Sequence, residues 1–546
     1  MQNKNRVIFT EVIAAVVLVI TAFIIIIMSG AEQLEEPQAE PVKLLTKNEA
    51  IETAAAHIQE KYGISTSELE SSIVLQANIP LSAYLNKNDW MSEYDLKFAD
   101  KYPVDYYEVE LKQPSADRTY FIRVHSAKRE VIGWNIYGAV EGNDIEEAKM
   151  QQMAESELTS LGYQPNDFWM TEKKPGLYVF RAKQPSIGEA AYQLTVQIEK
   201  GRVVMLHQGI TPTDTFISWF QTEEEKRAGL SIIQLLMMAF LVVASLVTAI
   251  VYRKAAPWRR GILLSLIVLV LISINMYNSF PSIKAAYAED PASGSLAMSG
   301  LLFQQGIYVI LAFSLYLSFA SGDGMFKTLG RRTWARWQEA DYGRHTIRSM
   351  GRGYLYAVIL ISLQQIIFFI GDKQFQVWTY DDPAFYVENY VYPLLFPISA
   401  WVAAIMEEGT YRLFGIALFK KLFRLDILAI LLPNLIWASG HIGYPFFPPY
   451  TRLVEVFIIG LIFSFIFLRY GLITAIFAHA ALDCFLMGMS LLYSQEPYKG
   501  LVALLYIGSP AIVAIIIALL HRWLYPRQKH PEPLLPHDRL DGLKSS

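Results

Sequence analysis

Residues 390–419 read YVYPLLFPISAWVAAIMEEGTYRLFGIALF, an apolar run with Glu407, Glu408 and Arg412 near its middle. A helix crosses the bilayer with about 20 apolar residues, because the hydrocarbon layer is about 30 Å thick and each residue rises about 1.5 Å. The same ruler places Glu407 about 24 Å from one end of the run and about 20 Å from the other. This stretch therefore predicts a membrane-spanning helix with charge near the midplane.

Nine further apolar runs have the length of a span, so the sequence predicts a polytopic α-helical membrane protein with about ten transmembrane helices. The composition agrees, since the 546-residue chain is 53% hydrophobic and only 18% charged, whereas soluble proteins carry about a quarter charged residues. The predicted spans are 7–28, 229–252, 261–280, 299–320, 353–371, 390–419, 425–442, 453–468, 471–493 and 501–521.

The distribution of Lys and Arg predicts the orientation of these spans. The loops 253–260, 321–352, 420–424 and 469–470 together hold 15 Lys and Arg residues, whereas the short loops on the opposite side hold four. Cytoplasmic loops carry the excess of positive charge in membrane proteins. We therefore expect a multi-pass protein of the cell membrane, with both termini cytoplasmic and residues 31–226 extracytoplasmic.

Residues 1–30 allow two interpretations. Lys4 precedes the apolar run, and Ser29 and Gly30 resemble the small-residue cleavage site of a secretory signal. The run is longer than the apolar core of a usual signal, which has about 7 to 15 residues. An uncleaved N-terminal transmembrane anchor is therefore favoured over a cleaved signal.

Residues 31–226 form a long polar stretch that looks duplicated. After an acidic linker with Pro37 and Pro41, each half has a helix followed by three strands, and Thr46 with Glu49 gives the first helix a capping box. The predicted elements are a helix at 46–62 with strands 105–111, 119–124 and 130–136, then a helix at 145–161 with strands 177–182, 192–198 and 203–207. Each half resembles a PepSY-type module. The resemblance implies an α+β domain of two tandem repeats that senses a ligand or regulates the chain; the alternative is a domain without chemistry.

Ionisable side chains recur deep in three predicted spans, where charge is costly and usually functional. They are Glu407, Glu408 and Arg412 in the sixth span, His441 in the seventh, and His479 and Asp483 in the ninth. At about 1.5 Å per residue, the last three lie about 24, 12 and 18 Å above the inner ends of their spans, within one band of depth. We therefore predict that three helices bring these groups into one site.

Helical spacing assigns partners to the acidic residues of the sixth span. Glu408 and Arg412 are four residues apart with the acid first, the favourable order for an ion pair within a helix. Glu407 is rotated by about 100° from Glu408, so it can point elsewhere and act as a general base. An alternative is that the pair serves only as structural glue.

The other two spans show the same spacing. His479 and Asp483 share one helix face, and His441 lies on one stripe with Asn434 and Trp437. A single histidine in a membrane helix is more often a packing residue. The joint occurrence of these groups favours a functional site.

Two ways of activating water are compatible with this set. Carboxylate and imidazole ligands suit Zn²⁺ with an open water position, and Glu407, His441, His479 and Asp483 are the candidate ligands. Without a metal, Glu407 and His441 can activate water while His479 and Asp483 stabilise the oxyanion. Both mechanisms hydrolyse a buried amide. Cys484 is the single cysteine, which excludes an intrachain disulfide, and is expected to be a packing residue.

Three motifs in this order carry a family resemblance: Glu407-Glu408-x-x-x-Arg412, Trp437-x-x-x-His441 and His479-x-x-x-Asp483. They resemble the CPBP family of intramembrane metalloproteases, which groups CAAX prenyl endopeptidases of the Rce1 type with bacteriocin-processing and immunity proteins that carry the ABI domain. The family pattern is Glu-Glu-x-x-x-Arg, Phe-x-x-x-His and His-x-x-x-Asn or Asp. This chain therefore departs from the pattern only in having Trp437 where Phe is usual.

The resemblance implies a hydrolase whose catalytic core is 389–493. It implies that Glu407 activates water, that Glu408 and Arg412 hold the helix, and that His441, His479 and Asp483 complete the site. Around this core, residues 229–380 would form spans two to five with the basic loop 321–352, and residues 494–546 the last span and a cytoplasmic tail.

We therefore expect an intramembrane endopeptidase whose partners are the lipid bilayer, a membrane-associated peptide or protein substrate, and a ligand or regulator of the outside domain. The net charge of −4 gives no case for nucleic acid. Two alternatives are a non-catalytic membrane receptor or immunity protein and a proton-coupled transporter. No inverted repeat of broken helices is evident in the sequence to support a transporter.

Overall fold

The computed structural model describes residues 2–34, 43–140 and 142–525. It combines a part built of apolar helices with an eight-stranded sheet that follows the first helix, α1 (Gln2–Leu34). The acidic linker predicted around Pro37 and Pro41, and the end of the predicted cytoplasmic tail at 526–546, lie outside the described residues.

The sheet is formed by the polar stretch after α1. Its helices are α2 (Lys47–Tyr62), α3 (Ile79–Lys87), α4 (Met91–Lys97) and α5 (Glu147–Ser160), and its strands are β1 (Glu70–Ala77), β2 (Asp105–Gln113), β3 (Arg118–His125), β4 (Val131–Tyr137), β5 (Phe168–Lys174), β6 (Leu177–Ala182), β7 (Ala191–Glu199) and β8 (Arg202–Thr211). The strand order is β1-β2-β3-β4-β8-β7-β6-β5, with antiparallel neighbours. Since β4 pairs with β8, the two halves form one continuous sheet.

Each half has four strands, whereas the sequence pattern predicts three. The missed strands, β1 and β5, are the two edges of the sheet. Polar residues obscure their alternation, because β1 begins with Glu70-Ser71-Ser72 and β5 ends with Glu172-Lys173-Lys174. The pattern also misses α3 and α4, which are inserted between β1 and β2 of the first half.

Helix α2 shows how local sequence and packing cooperate. The Thr46 side chain accepts from the Glu49 backbone N–H while the Glu49 carboxylate accepts from the Thr46 N–H, so the capping box is complete. Gly63 ends the helix with a left-handed φ of 70°, which costs a glycine little. Ala50, Ala54 and Ile58 form its buried stripe against one face of the sheet.

The two faces of the sheet have different partners. On β2, Tyr107, Val109 and Leu111 pack towards α2 and α5, while Glu108 and Glu110 alternate with them and point to the opposite face. Both carboxylates are nevertheless buried. Buried charge needs partners, and the helical part supplies two of them from residues 279–292: Lys284 pairs with Glu110, and the Glu289 backbone N–H donates to Glu108. We call this segment and residues 376–398, which also contact the sheet, the sheet-side loops.

Glu289 anchors one sheet-side loop to the sheet. Its carboxylate accepts a hydrogen bond from Arg123 Nε (2.6 Å) and from Asn135 Nδ2 (3.0 Å), and it lies 3.0 Å from His207 Nε2. Gly133 stands between Arg123 and His207 in the strand register, and a Cβ there would lie 3.4 Å from side-chain atoms of both. The nearest atom to such a Cβ would be the Leu206 carbonyl oxygen at 2.8 Å, so only a glycine lets β4 and β8 approach this closely here.

A second sheet-side loop covers the edge strand β1. The Asn389 side chain accepts from the Leu75 backbone N–H and donates to the Leu75 carbonyl, both at 2.8 Å. Ser82 donates to Asp381 at 2.7 Å, and Tyr386 donates to Asp105 at 2.6 Å. An edge strand is prone to pair with foreign chains because its outer backbone groups lack partners. Asn389 provides hydrogen-bond partners for the backbone N–H and C=O of Leu75 on this edge.

We expect the docking of the sheet to weaken in acid. Burial alone would raise the pKa of Glu289, but His207, Arg123 and Asn135 outweigh burial and hold its pKa at about 2. Its contribution to stability is therefore present above the ordinary pKa of 4.5 and is lost as the pH falls towards 2. Burial raises the pKa of the neighbouring Glu108 to about 7. Ionisation of Glu108 as the pH rises through about 7 therefore lowers the stability, which is opposite to the effect of ionising Glu289.

The Glu289→Gln variant isolates this effect. The thermal unfolding midpoints of wild type and variant, measured across this pH range, should differ most above pH 4.5 and converge as the pH falls towards 2. A difference that stays constant across the range would show that ionised Glu289 does not stabilise the docking.

The helical part supplies the membrane-spanning elements. It contains α6 (Asp214–Val251), α7 (Ile262–Asn278), α8 (Phe280–Ala285), α9 (Ser293–Thr328), α10 (Tyr342–Phe375), α11 (Ser399–Glu407), α12 (Ile416–Phe423), α13 (Asp426–Ser439), α14 (Pro449–Tyr470), α15 (Leu472–Leu491), α16 (Lys499–Leu524) and a two-strand ribbon of β9 (Trp378–Thr379) and β10 (Phe446–Phe447). Among the described residues, seven helices are long and apolar enough to cross a membrane: α1, α6, α9, α10, α14, α15 and α16. Seven of the ten predicted spans thus correspond to a helix of sufficient length.

The other three predicted spans are shorter or irregular. Helices α7 and α13 are apolar but have only 17 and 14 residues. The predicted sixth span is a succession of a 3₁₀ helix (Pro393–Ile398), α11, a π-helix (Glu408–Gly415) and α12. Hydropathy reads this run as one helix because it reports how apolar the segment is and not how its backbone is hydrogen-bonded.

Candidate active site

The first motif lies where α11 ends and a π-helix begins: Glu407 is the last residue of α11, and Glu408 and Arg412 lie in the π-helix. This segment, Glu408–Gly415, is buried except for Thr410, which is half-buried. π-helical turns are rare and occur frequently at functional sites. Gly409 allows a close approach of α9, because a Cβ at this position would meet Leu315 and Phe319 side-chain atoms at 2.8 Å.

Glu408 and Arg412 form a fully buried ion pair. Arg412 Nη1 lies 3.1 Å from Glu408 Oε1, and neither side chain is exposed. The sequence prediction that these two residues pair agrees with this distance. Removing either partner would leave an uncompensated buried charge, which is strongly destabilising.

Aromatic rings and a polar chain surround the Arg412 guanidinium. Its central carbon lies 4.1 Å from the ring centre of Trp437 and 5.2 Å from that of Phe463, distances typical of cation–π contacts. Arg412 Nη2 donates weakly to Asn434 Oδ1 at 3.4 Å, and Asn434 donates to Ser464 at 2.7 Å. The motif arginine is therefore held by α13 and α14 as well as by its own helix.

His479, on α15, connects this pair to the second acidic residue. Its Nδ1 lies 2.9 Å from Glu408 Oε1, so Nδ1 donates and the carboxylate accepts. Its ring stacks on Phe463 with a centroid distance of 4.6 Å and an interplanar angle of 24°. With Nδ1 held in this way, Nε2 is turned towards Glu407 and Asp483, at 3.8 and 3.4 Å from their nearest oxygens.

Exposure separates the three carboxylates of the site. Glu408 is fully buried, whereas the side chains of Glu407 and Asp483 are each 17% exposed. Trp437 Nε1 donates a hydrogen bond to Glu407. Glu407 and Asp483 therefore keep free surface at which another molecule can bind, while Glu408 contacts His479 and Arg412.

His441 lies beyond the end of its helix and not within a span. The predicted seventh span runs to residue 442, but α13 ends at Ser439 and Gly440 follows in a turn. His441 Nδ1 donates to the Trp437 carbonyl at 3.0 Å, a bond that caps the helix C-terminus. Its ring packs edge-on against that of Trp437, the residue that donates to Glu407, with a centroid distance of 5.1 Å.

Zn²⁺ at Glu407, His441, His479 and Asp483 stays a prediction. Among the described residues, no group of three or more His, Cys, Asp and Glu side chains is arranged to hold a metal ion. His479 Nδ1 donates to Glu408, so Nε2 is the nitrogen left to face Glu407 and Asp483.

The three motifs lie within a segment of the chain that matches a known protein family. Residues 389–485 match the family model Type II CAAX prenyl endopeptidase Rce1-like. The match confirms the resemblance predicted from the motifs and ends eight residues before the predicted boundary at 493. It covers about a fifth of the chain and supports a CAAX-protease-like membrane hydrolase at the level of the family. No curated protein and no solved structure matches the chain.

The Rce1-like segment contains two site residues that sequence reasoning misses. The predicted site uses the sixth, seventh and ninth spans, but α14, the eighth, supplies Phe463 and Ser464. Gly460 brings α14 close, because a Cβ there would lie 2.7 Å from Asn434 Oδ1 and 2.8 Å from the Trp437 ring. A polar Ser464 and a glycine one turn apart in an apolar helix were the available signal.

Trp437 offers a direct test of how Glu407 is held. The Trp437→Phe variant keeps an aromatic ring against Arg412 but removes the N–H that donates to Glu407. Hydrogen bonds to charged groups contribute about 1.5–3 kcal/mol, so we expect kcat to fall roughly tenfold to a hundredfold. KM should change little, and the unfolding temperature should fall modestly because the same hydrogen bond also stabilises the fold. An unchanged kcat would show that the indole N–H does not position Glu407.

Proposed function

We propose that this protein is an intramembrane endopeptidase that hydrolyses a peptide bond of membrane-associated proteins or peptides. The observation that carries the proposal is the joint placement of Glu407, His479 and Asp483. Their facing atoms lie within 3.8 Å of His479 Nε2, and both carboxylates are partly exposed beside a fully buried ion pair. A receptor or immunity protein with a vestigial site has no need for this arrangement.

In the proposed reaction, Glu407 takes a proton from a water molecule. The resulting hydroxide attacks the carbonyl carbon of the scissile amide, and the carbonyl oxygen becomes an oxyanion. Protonated His479, oriented by Glu408 through Nδ1, directs the N–H of Nε2 at this oxyanion. Glu407 then gives its proton to the leaving nitrogen, the oxyanion re-forms the C=O bond as the C–N bond breaks, and a carboxylic acid and an amine are released. The acid then loses its proton to the amine or to solvent, which leaves the carboxylate.

His441 and Asp483 have secondary roles in this proposal. Because His441 Nδ1 donates to a backbone carbonyl, its Nε2 carries the lone pair and can accept a hydrogen bond from the attacking water. Asp483 lies 3.4 Å from His479 Nε2 and keeps that nitrogen protonated between turnovers. The roles follow from hydrogen-bond geometry, and each can be tested by single substitution.

The substrate is proposed to lie in or on the membrane, since the site is formed by helices of the membrane-spanning part. We also propose that the sheet is extracytoplasmic and both termini are cytoplasmic. In support, the basic segments 253–260 and 329–341 follow the ends of α6 and α9, which extend for about 55 Å from the sheet side. Zn²⁺ and a ligand or regulator of the sheet stay predictions.

The test is a comparison of protein termini in membrane fractions. Cells carrying wild type, Glu407→Gln or the control variant Glu172→Gln, which changes an exposed strand residue, are compared by mass spectrometry of new C-termini. We expect one or a few membrane-associated proteins to gain a new C-terminus with wild type and the control variant only. New termini that occur equally with Glu407→Gln would contradict the proposal, and a complete absence of wild-type-dependent termini would favour the non-catalytic receptor.

A further inference from the structure

A cavity of about 410 Å³ lies between the sheet and the sheet-side loops. One wall is formed by residues of β1, β2, β3, β4 and β8 together with residues 78–81, Tyr94 and residues 101–103, and the other by Ala285, Ala286, Ala288 and residues 382–384. Its volume lies within the range of about 300–1,000 Å³ that small-ligand sites occupy. A molecule in this cavity would touch the sheet and the helical part at once.

The charged groups that line the cavity favour an anion. Arg123 and Lys101 are the lining cations and Asp382 is the lining acid. The Asp382 carboxylate accepts a hydrogen bond from the Ala384 backbone N–H at 3.0 Å, so it is held within its own turn. The balance of the described lining side chains is therefore positive.

Arg123 supplies the geometry that recognises a carboxylate. Within the described part of the chain, its guanidinium hydrogen-bonds through Nε, to Glu289, and its side chain is 25% exposed. The two terminal nitrogens are thus available to the cavity, and a guanidinium fork matches a carboxylate in a bidentate manner. Lys101 Nζ, 3.2 Å from the Tyr163 hydroxyl, adds a second positive charge.

The remaining lining is apolar or aromatic with a few amides. Tyr102, Tyr106 and Pro80 form apolar surfaces, while Asn78 and Gln208 carry amide groups that can bind a peptide backbone. An apolar wall with a few convergent polar groups is typical of small-molecule sites. The ligand that fits this lining has a carboxylate, an apolar or aromatic group, and about the size of a dipeptide.

We propose that this cavity binds the free carboxylate end of a short peptide, or another small apolar carboxylate, and that the bound ligand bridges the sheet and the sheet-side loops. The site is separate from the proposed catalytic centre. Binding therefore stands or falls independently of whether the protein is a protease.

Gly209 provides a variant that blocks the cavity without disturbing Arg123. It lines the cavity on β8, and a Cβ added there meets no atom within 4 Å. Gly209→Leu should therefore fill the cavity while the Arg123–Glu289 contact stays intact. Gly306→Leu is the matched control, since a Cβ at this position on α9 also meets no atom within 4 Å.

The experiment is calorimetric titration of the full chain in lipid nanodiscs with N-acetyl-phenylalanyl-alanine, its C-terminal amide, and phenylbutyrate. We expect the free acid to bind saturably to wild type and Gly306→Leu and to lose binding in Gly209→Leu. The affinity of the amide should be lower by at least about tenfold, because the amide lacks the charge-assisted bonds to Arg123. If phenylbutyrate binds as tightly as the peptide acid, the ligand class is small apolar carboxylates in general. If only the peptide acid binds, the ligand class is peptides with a free C-terminus.

Three results would overturn the proposal. They are the failure of both carboxylates to bind wild type, equal binding of the acid and the amide, and unchanged binding to Gly209→Leu. Each of these can occur in a protein that is fully active as a protease, so failure here is distinguishable from failure of the proposed function.

Discussion

Glu407→Gln is expected to abolish peptide hydrolysis while leaving the fold intact. Glutamine keeps the size of the side chain and can still accept the hydrogen bond from Trp437, but it cannot take a proton from water. Losing a general base typically costs about 10²–10⁴ in rate. His479 keeps Glu408 and Asp483 as partners, so the substitution leaves no buried charge without a partner. Turnover by the purified protein measures the effect.

The control for this variant must change a carboxylate without touching the site. Glu172→Gln serves, because Glu172 lies on the edge strand β5 and pairs only with Lys174 among the described residues. Both variants should unfold near the wild-type temperature. If Glu407→Gln retained full activity, Glu407 would have no part in proton transfer and the proposed chemistry would be wrong.

Arg412→Gln is expected to have the largest effect on stability. It leaves three carboxylates, Glu407, Glu408 and Asp483, around the single positive charge of protonated His479. Breaking one partner of a buried pair costs about 3–5 kcal/mol in the free energy of unfolding. Equilibrium unfolding in mixed micelles with a denaturing detergent gives this free energy for wild type and variant.

A double variant separates the charge from the packing. In Glu408→Gln with Arg412→Gln both charges are absent, and the glutamine oxygen at position 408 can still accept from His479 Nδ1. We therefore expect the double variant to regain at least about half of the stability that Arg412→Gln loses. Arg202→Gln, a change of an exposed strand residue, should stay within about 0.5 kcal/mol of wild type. A double variant as unstable as the single one would show that the guanidinium acts by packing.

The local part of the site could be predicted from the sequence, because residues four apart on one helix are neighbours. Glu408 and Arg412 are paired at 3.1 Å, and His479 and Asp483 approach to 3.4 Å. The rise per residue also predicts that the ionisable groups of three separate segments lie at one depth in the membrane. These expectations depend only on rise and rotation along single helices.

Contacts between helices could not be predicted, since they depend on how the helices cross. The bond from His479 to Glu408 and the bond from Trp437 to Glu407 join different helices. Glu408 was expected to hold its own helix and in the structure also fixes the tautomer of His479. Phe463 reaches the site only because Gly460 lets its helix approach.

The predicted boundaries failed where regular backbone ends. Pro393 and Pro397 lie in a 3₁₀ segment before α11, and Gly440 follows the last residue of α13, so neither predicted span is one straight helix. Interruptions of this kind leave the mean hydropathy unchanged. They also place His441 in a turn, from which it reaches the site by capping its own helix.

The most direct test of the central claim is hydrolysis in lipid vesicles that contain only the purified protein and the substrate identified from the comparison of termini. The reaction is run in water labelled with a heavy oxygen isotope. Wild type and Glu172→Gln should each give a product with one labelled oxygen in its new C-terminal carboxylate, and Glu407→Gln should give none. Equal labelled product from Glu407→Gln, or none from wild type, would contradict the assignment of this site as a water-activating protease centre.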